Sequence, residues 1–491
     1  MNKQPSLRPR VKDAIADLQR QISGRVVTPT DPHYNAARAE FNPAYEDFPL
    51  LVVFCEAYAD VRLSLAFAQT HGLWTVARSG RHSLAGYSVS SGMVLDVSQL
   101  NDVSVDVSKK QAKIGAGATF EKIYRILNDY QLHLPGGGCG TVGVAGFMQG
   151  GGYSMTSRAY GISSDSVLEF TMMLADGRIV VANRTQNQDL FWAVRGGTGN
   201  NFGVLLDVTY QLYDLYEVWG FSLTWDFEED VAEAAEALLI LQSQYMGKAY
   251  PKLGHQTSMY VDDAGRHTLI MMGVYDGTEA EGKALIAPLL QLPSTTIYQS
   301  LYAPYLQVDQ EVFQTVPNVP LGVKALSQSG YIARMLTRQD WVSILSFFKT
   351  APNNYAMIDL EAYGGKINEI PVTDSAFIHR QVYMDFFCDV FWEDETDRAA
   401  NQAWLQDLQA FMRPYFNGHS YQNYPNRLQT DYRWAYWGPY FNTLLAIKRK
   451  YDPENFFYFQ QSIKPYAPED VNVYPDKPLL FDGGQILYEE Y

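Results

Sequence analysis

Cysteine is scarce. Cys55, Cys139 and Cys388 are the three in 491 residues, with no CxxC pair, which excludes a disulfide framework and a cysteine zinc site. Cys55 and Cys388 lie in apolar segments and read as core. The eight histidines are scattered without HExxH spacing, so no metal is expected. Basic residues are in deficit: 38 Lys and Arg face 54 Asp and Glu, a net charge of −16. With no basic stripe to neutralise phosphates, nucleic acid is excluded as a partner. No uncharged apolar run reaches the ~18 residues of a membrane span, and no membrane partner is expected. The opening MNKQPSLRPRVKDAIADLQRQI lacks a signal peptide's apolar run. The chain therefore reads as cytoplasmic, although the sequon Asn183-Arg184-Thr185 points the other way.

What is present is a globular composition, 47% hydrophobic and 19% charged, at a length that suggests about two or three domains. The 34 tyrosines suit deep pockets that stack on rings and bond hydroxyls. Thick β-sheet accounts for them equally well.

Glycine is concentrated in one stretch. Leu134–Tyr153, LPGGGCGTVGVAGFMQGGGY, has nine glycines in twenty residues. Backbone this bare serves sharp turns or close approach to a flat or anionic cofactor. Gly138–Gly143 fits the G-x-G-x-x-G dinucleotide fingerprint, but Pro135-Gly136-Gly137 precedes it where a strand is needed. Gly146 and Gly150–Gly152 follow it, which argues against an ordinary helix. Cys139 is either a small core residue or a thiol beside the cofactor.

Residues 9–22 read as an amphipathic helix. Leu50–Phe54, Trp74–Ala77 and Met93–Val97 read as short strands, with a helix over Asp60–His71 that buries Val61, Leu65 and Ala68. A polar loop, Arg78–Gly86, leaves the second of these strands. Lys113–Gly117 is a further strand, and Thr119 caps a helix presenting Ile123, Ile126, Leu127 and Tyr130. Val167–Leu174 and Ile179–Ala182 flank a turn at Asp176-Gly177. Asp189–Val194 is a short helix and Val204–Tyr210 a strand. Beyond about residue 212 the glycine clusters thin. Strands Thr257–Val261, Thr268–Val274, Met357–Ala362 and Val382–Phe387 mix with helices such as Val231–Tyr245, up to about 415. The tail carries Tyr421-Gln422-Asn423-Tyr424-Pro425, then a helix burying Phe441, Leu444, Leu445 and Tyr451 that stops at Asp452-Pro453.

Four stretches now coincide: RSGRHSLAG (78–86), PGGGCGTVGVAGFMQGGGYSMTSRAYG (135–161), DLFWAVRGGTGNNFGV (189–204), and YQNYP with KYDPENFF and QSI (421–463). In this order they resemble the FAD-linked oxidases of the vanillyl-alcohol-oxidase fold. They are most similar to its berberine-bridge-enzyme-like branch, which includes oligosaccharide oxidases. The resemblance spans the chain. It implies an α+β protein with a two-part FAD-binding domain, residues 1–212 and 416–491. Between them lies a central substrate domain, 213–415, built on an antiparallel sheet.

It also implies site residues. His82 and Cys139 match positions bound covalently to the flavin, and imidazole and thiolate are competent nucleophiles for that bond. Arg78, Ser79, Gly80, Arg81 and Ser83 around His82 would bind the cofactor. So would Gly137, Gly138, Gly140, Thr141, Gly143, Gly146, Gly152 and Gly161 of the glycine stretch, and Asn423. Val142 matches a position that governs oxygen access. Tyr424 matches a catalytic base, which at a free pKa of about 10 needs a cationic or strongly hydrogen-bonding neighbour. Asp385 and Tyr363 match catalytic-site positions, and Asp359 and Glu361, alternating on one strand, would face the substrate. Leu84, Gly140 and Pro425-Asn426 depart from the branch's common residues, so no single relative's substrate carries over. The expected activity is hydride transfer from an alcohol or carbohydrate carbon to bicovalent FAD, then reduction of O2 to H2O2. Oxidative cyclisation or desaturation of a natural product is an alternative, as is a silent flavin- or sugar-binding protein.

Overall fold

The computed structural model describes residues 9–313, 322–465, 480–482 and 485–487. Near the start, strand Leu51–Phe54, helix Tyr58–His71 and strand Thr75–Arg78 form a crossover unit. Met93–Asp96 lies between the two strands, parallel to both. Arg25–Val27 closes the edge antiparallel to Leu51–Phe54. The helix starts where the buried Asp60 carboxylate, in its first turn, accepts N–H bonds from Glu56 and the capping residue Ala57, and it also ties in the N–H groups of Ser23 and Gly24 from the loop before the edge strand. Its inner face is Val61, Leu65 and Ala68, all buried. The loop between Arg78 and Met93 thus leaves a buried strand end, and it carries His82.

A five-stranded antiparallel sheet follows, in the order Val103–Asp106, Gln111–Gly115, Val204–Gln211, Val167–Met173, Ile179–Asn183. Its last hairpin turns at Gly177, φ +80°. Helix Phe120–Asn128 buries Phe120, Ile123, Tyr124 and Leu127. The expected Ile126 is half-buried and Tyr130 is exposed; the helix has already ended, and Phe120 in its first turn takes the apolar place.

The third sheet has seven antiparallel strands: Thr296–Pro304, Glu217–Asp226, His267–Tyr275, Leu253–Val261, Met357–Ala362, Met384–Trp392 and Lys324–Ile332. Ile358, Leu360, Cys388 and Val390 join a core with the helices Ala232–Ile240, Arg338–Phe348 and Arg398–Met412. The alternate residues of the same strands turn to the other side and form one wall of the site.

The last helices return to the first unit. Tyr436, Trp437, Phe441 and Leu444 share a core with Trp192, Val194 and Phe202. Helix Phe441–Tyr451 buries Ile447 rather than Leu445, which is half-buried, and ends before Pro453. Its Lys448 is buried, donating to Asp452 at 2.6 Å and to the carbonyls of Asn201 (2.6 Å) and Phe457 (2.7 Å). The five-stranded sheet ends at Gln211, the seven-stranded sheet begins at Glu217, and the last helix packed on it ends at Met412. No described helix is long and apolar enough to cross a membrane.

Candidate active site

A cavity of about 550 Å³ lies where the glycine stretch, the His82 loop, the 421–425 segment and the seven-stranded sheet meet. That volume lies within the roughly 300–1,000 Å³ usual for ligand sites.

One wall is glycine and nucleophile. Val144–Gln149 forms a short α-helix, against the expectation from its glycines: Val144, Ala145 and Met148 are buried in the first core, and that packing outweighs the helix penalty of Gly146. No strand of ordinary length leads into it, only Leu132–His133, so the dinucleotide fingerprint is absent. Gly137, Gly138, Gly143 and Gly146 line the cavity; Gly140, Thr141, Gly152 and Gly161 do not. A Cβ on Gly138 or Gly146 would meet nothing within 4 Å, so side chains there would stand in open cavity. The two loops meet backbone to backbone at Gly80 and Gly143. A Cβ on Gly143 would sit 2.3 Å from Ser79 Oγ and 2.5 Å from the Gly80 nitrogen. Gly143→Ala is expected to lower Tm by about 1–3 °C through overpacking and to reduce flavin loading, read by thermal unfolding and the visible spectrum.

His82, Thr141 and Cys139 converge. His82 Nε2 and Thr141 Oγ1 are hydrogen-bonded at 2.8 Å, and Cys139 Sγ lies 3.5 Å from the same hydroxyl. The His82 ring stacks on Phe41 at 4.4 Å. Burial lowers His82 to about 4, which leaves a neutral, nucleophilic imidazole at pH 7. Cys139 is an exposed free thiol. The backbone before His82 is strained: Arg81 has φ +64°. Arg78 lines the cavity, but its guanidinium bonds Asp96 at 2.8 Å, Glu40 at 3.2 Å and the Ala37 carbonyl at 2.6 Å. Ser79 Oγ donates to the Ala116 carbonyl at 2.7 Å, and Ser83 Oγ accepts from the Tyr87 N–H at 2.8 Å. A large cavity floored by bare glycine, with a neutral imidazole and a free thiol gathered at one hydroxyl, fits a flat cofactor with two nucleophiles at its edge.

The tail segment is tied to this wall. Tyr421 Oη accepts from the N–H groups of Gly152 (2.8 Å) and Tyr153 (3.0 Å). Asn423 Nδ2 donates to the Phe147 carbonyl (2.9 Å) and to Tyr421 Oη (3.0 Å). Gln422 Nε2 donates to the Gly196 carbonyl at 3.0 Å. These bonds leave Tyr424 facing the sheet.

There Tyr424 Oη donates to Glu361 Oε1 at 2.5 Å, and its ring stacks on Phe387 at 3.9 Å. Asp359, Glu361, Phe387 and Asp389 line the cavity. The register explains the grouping: Glu361 stands opposite Asp385, Asp359 opposite Phe387 and Met357 opposite Asp389, so one face carries them all. Burial raises Asp359 to about 6 and Asp389 to about 7, and it raises Glu361 above the usual carboxylate range. Burial, reinforced by the Glu361 charge, holds Tyr424 well above an ordinary tyrosine. No cation bonds Tyr424 among the described residues; its partner is an acid.

Two expected catalytic residues also lie outside the cavity. Tyr363 is fully buried, with its ring stacked on Tyr153 at 5.3 Å and its hydroxyl 3.0 Å from Tyr331 Oη; Tyr153 takes the cavity place. Asp385 is fully buried beside Glu361 on the same face of the sheet but does not line the cavity, and neither carboxyl oxygen has a hydrogen-bond partner among the described residues. Val142 does line the cavity. Phe387 and Asp389 were not singled out in the sequence, although period-two alternation from Asp385 places both on its face.

Residues 49–183 match the family model of an FAD binding domain, and residues 420–464 match the model described as berberine and berberine like. Two FAD-linked oxidoreductases of Bacillus subtilis are similar throughout. YvdP is 30% identical over 455 residues (91% of this chain, 99% of the relative), and YgaK 29% identical over 450 residues (91% and 98%). Among solved structures, BBE-like 1 of Physcomitrella patens superposes with a TM-score of 0.84 at 25% identity, covering 92% of this chain and 99% of that one. Chitooligosaccharide oxidase shares the fold, with a TM-score of 0.82 at 22% identity over 92% and 100%. The protein described here belongs to the FAD-linked oxidoreductases of the berberine-bridge-enzyme-like family.

Proposed function

We propose that the protein is an oxidase that takes a hydride from the carbon of an alcohol or carbohydrate hydroxyl and returns the electrons to O2 as H2O2. The observation that carries this is a hydrogen-bonded Tyr424–Glu361 pair in the same cavity as His82 and Cys139. FAD, when bound, supplies the two-electron acceptor. His82 and Cys139 would each hold it by a covalent bond, with Thr141 orienting both. The glycines from Gly137 to Gly146 would let it approach the backbone, and Val142, as a small side chain, would keep a path for O2.

Tyr424 works as a relay. Its phenol is protonated at neutral pH, because burial and the Glu361 charge raise its pKa. As the substrate hydroxyl gives its proton to Tyr424 Oη, the phenol proton passes along the 2.5 Å bond to Glu361. Glu361 is then the base, and its burial makes it a stronger one than an exposed carboxylate. Asp385, opposite Glu361 in the register and without contact to the cavity, is a positioning residue at most.

A sign follows for pH. Protonated Glu361 cannot accept, so activity falls as pH falls through the pKa of Glu361. Because burial raises that pKa, the acidic limb of kcat/KM is expected at least a unit above the ~4.3 of a free glutamate. A limb at the free value would exclude Glu361 as the base. The activity itself is tested by peroxide release across a panel of alcohols and carbohydrates, with product masses. Because all of these outcomes remove two hydrogens, the product structure decides: a carbonyl or lactone at the former hydroxyl carbon, with peroxide, supports simple oxidation, and a ring-closed or desaturated product points to the tailoring alternative. Flavin-loaded enzyme that no donor reduces contradicts the proposal.

A further inference from the structure

Three carboxyl groups line the sheet wall where a proton relay uses one. Asp359 accepts a hydrogen bond from Ser258, Asp389 from Ser327 at 2.5 Å and Glu361 from Tyr424 at 2.5 Å. These hydroxyls, and the Gln256 amide beside Asp359, are all neutral. Among the described residues, no lysine or arginine pairs with any of the three. Glu361 is nine-tenths buried or more, lines the cavity, and has a second oxygen, Oε2, with no partner. Buried carboxylates without a counter-charge are costly, and here several share one face.

The arginines of the cavity do not balance them. Arg78 is paired with Asp96 and Glu40, and Arg81 reaches Asp96, all on the opposite wall. Between the acids lies an aromatic surface. Phe387 faces Asp359 across the strands, has Asp389 two residues along on the same face, and stacks on Tyr424. A ring face bordered by carboxylates is a receptor for an organic cation. A neutral polyol gains from mixed donors and acceptors, and this part of the wall is dominated by acceptors. The raised values of Asp359 and Asp389 agree with a site whose counter-charge arrives with its ligand.

Resting on the oxidation proposed above, we propose that the substrate presents a protonated amine to Asp359 and Asp389 while its hydroxyl lies at Tyr424.

The test is calorimetric binding to the flavin-loaded enzyme of two isosteric pairs that differ in charge. One pair is para-(aminomethyl)benzyl alcohol and para-ethylbenzyl alcohol. The other is the glucosamine dimer with free amines and cellobiose. The charged member of at least one pair is expected to bind about tenfold tighter or more, and Asp389→Asn and Asp359→Asn are each expected to move that ratio toward one. Equal binding within both pairs, or a ratio that neither variant changes, would overturn the inference. If a variant fails to fold, the wild-type ratio still decides. Peroxide release is scored separately. Tight binding of the charged member without turnover supports the cation site and counts against the oxidation reading; equal binding with turnover of the neutral member overturns the cation site alone.

Discussion

Tyr424→Phe is expected to lower kcat/KM by about 10²–10⁴-fold, the usual worth of a positioned proton acceptor, with flavin content unchanged. The phenylalanine keeps the ring that stacks on Phe387 at 3.9 Å and loses only the hydroxyl that donates to Glu361. The loss should fall on kcat, because the relay acts as the substrate O–H breaks. Glu361→Gln should cost nearly as much, and the double variant little more than either, since the two groups pass one proton as a unit. A loss of less than about tenfold for Tyr424→Phe would remove the relay from the account.

Arg158→Ala is expected to cost about 3–5 kcal/mol of stability. The side chain is fully buried, and no carboxylate pairs with it among the described residues. Its guanidinium donates to the carbonyls of Leu253 (2.8 Å), Gly247 (3.3 Å), Ala249 (2.6 Å) and Tyr363. It therefore joins the end of the glycine-rich segment to the seven-stranded sheet, and its loss leaves several buried acceptors bare. Burial lowers its pKa to about 10, so it stays charged at neutral pH. Lysine should not rescue it, because an ammonium lacks the planar fork that reaches acceptors in several directions. Thermal unfolding of the purified variant measures this, and a change in Tm under about 2 °C would contradict it.

Much of the site was legible because it depends on residue types with narrow uses. Glycines packed so densely around one cysteine have few structural explanations, and the 78–86 loop leaves a short apolar strand with a histidine in it. Alternation along Met357–Ala362 was enough to place Asp359 and Glu361 on one face, as the strand now shows. What was not legible depends on pairing between distant segments. The strand expected to stop at Phe387 continues to Trp392, which is how Asp389 enters the wall. That Asp385 stands beside Glu361 on the neighbouring strand follows from register alone. Tyr363 continues the alternation of its strand, but the chain then turns at Gly364 (φ +100°) and Gly365 (φ +53°), and the ring passes beneath Tyr153. The helix at Val144–Gln149 forms because the first core takes its apolar side, a tertiary gain that local propensity does not contain. The expectation of a strongly hydrogen-bonding neighbour for Tyr424 was met by an acid, so the proposed relay ends on Glu361 rather than on a phenolate.

The central claim is that one flavin is held at both His82 and Cys139, across the cavity from Tyr424 and Glu361. The most direct measurement is acid precipitation of the purified protein, visible spectra of pellet and supernatant, and peptide mass analysis of the pellet. The account predicts a yellow pellet and a single flavin mass joining the peptides that contain His82 and Cys139. A colourless pellet beneath a yellow supernatant, or a flavin mass on neither residue, would contradict it.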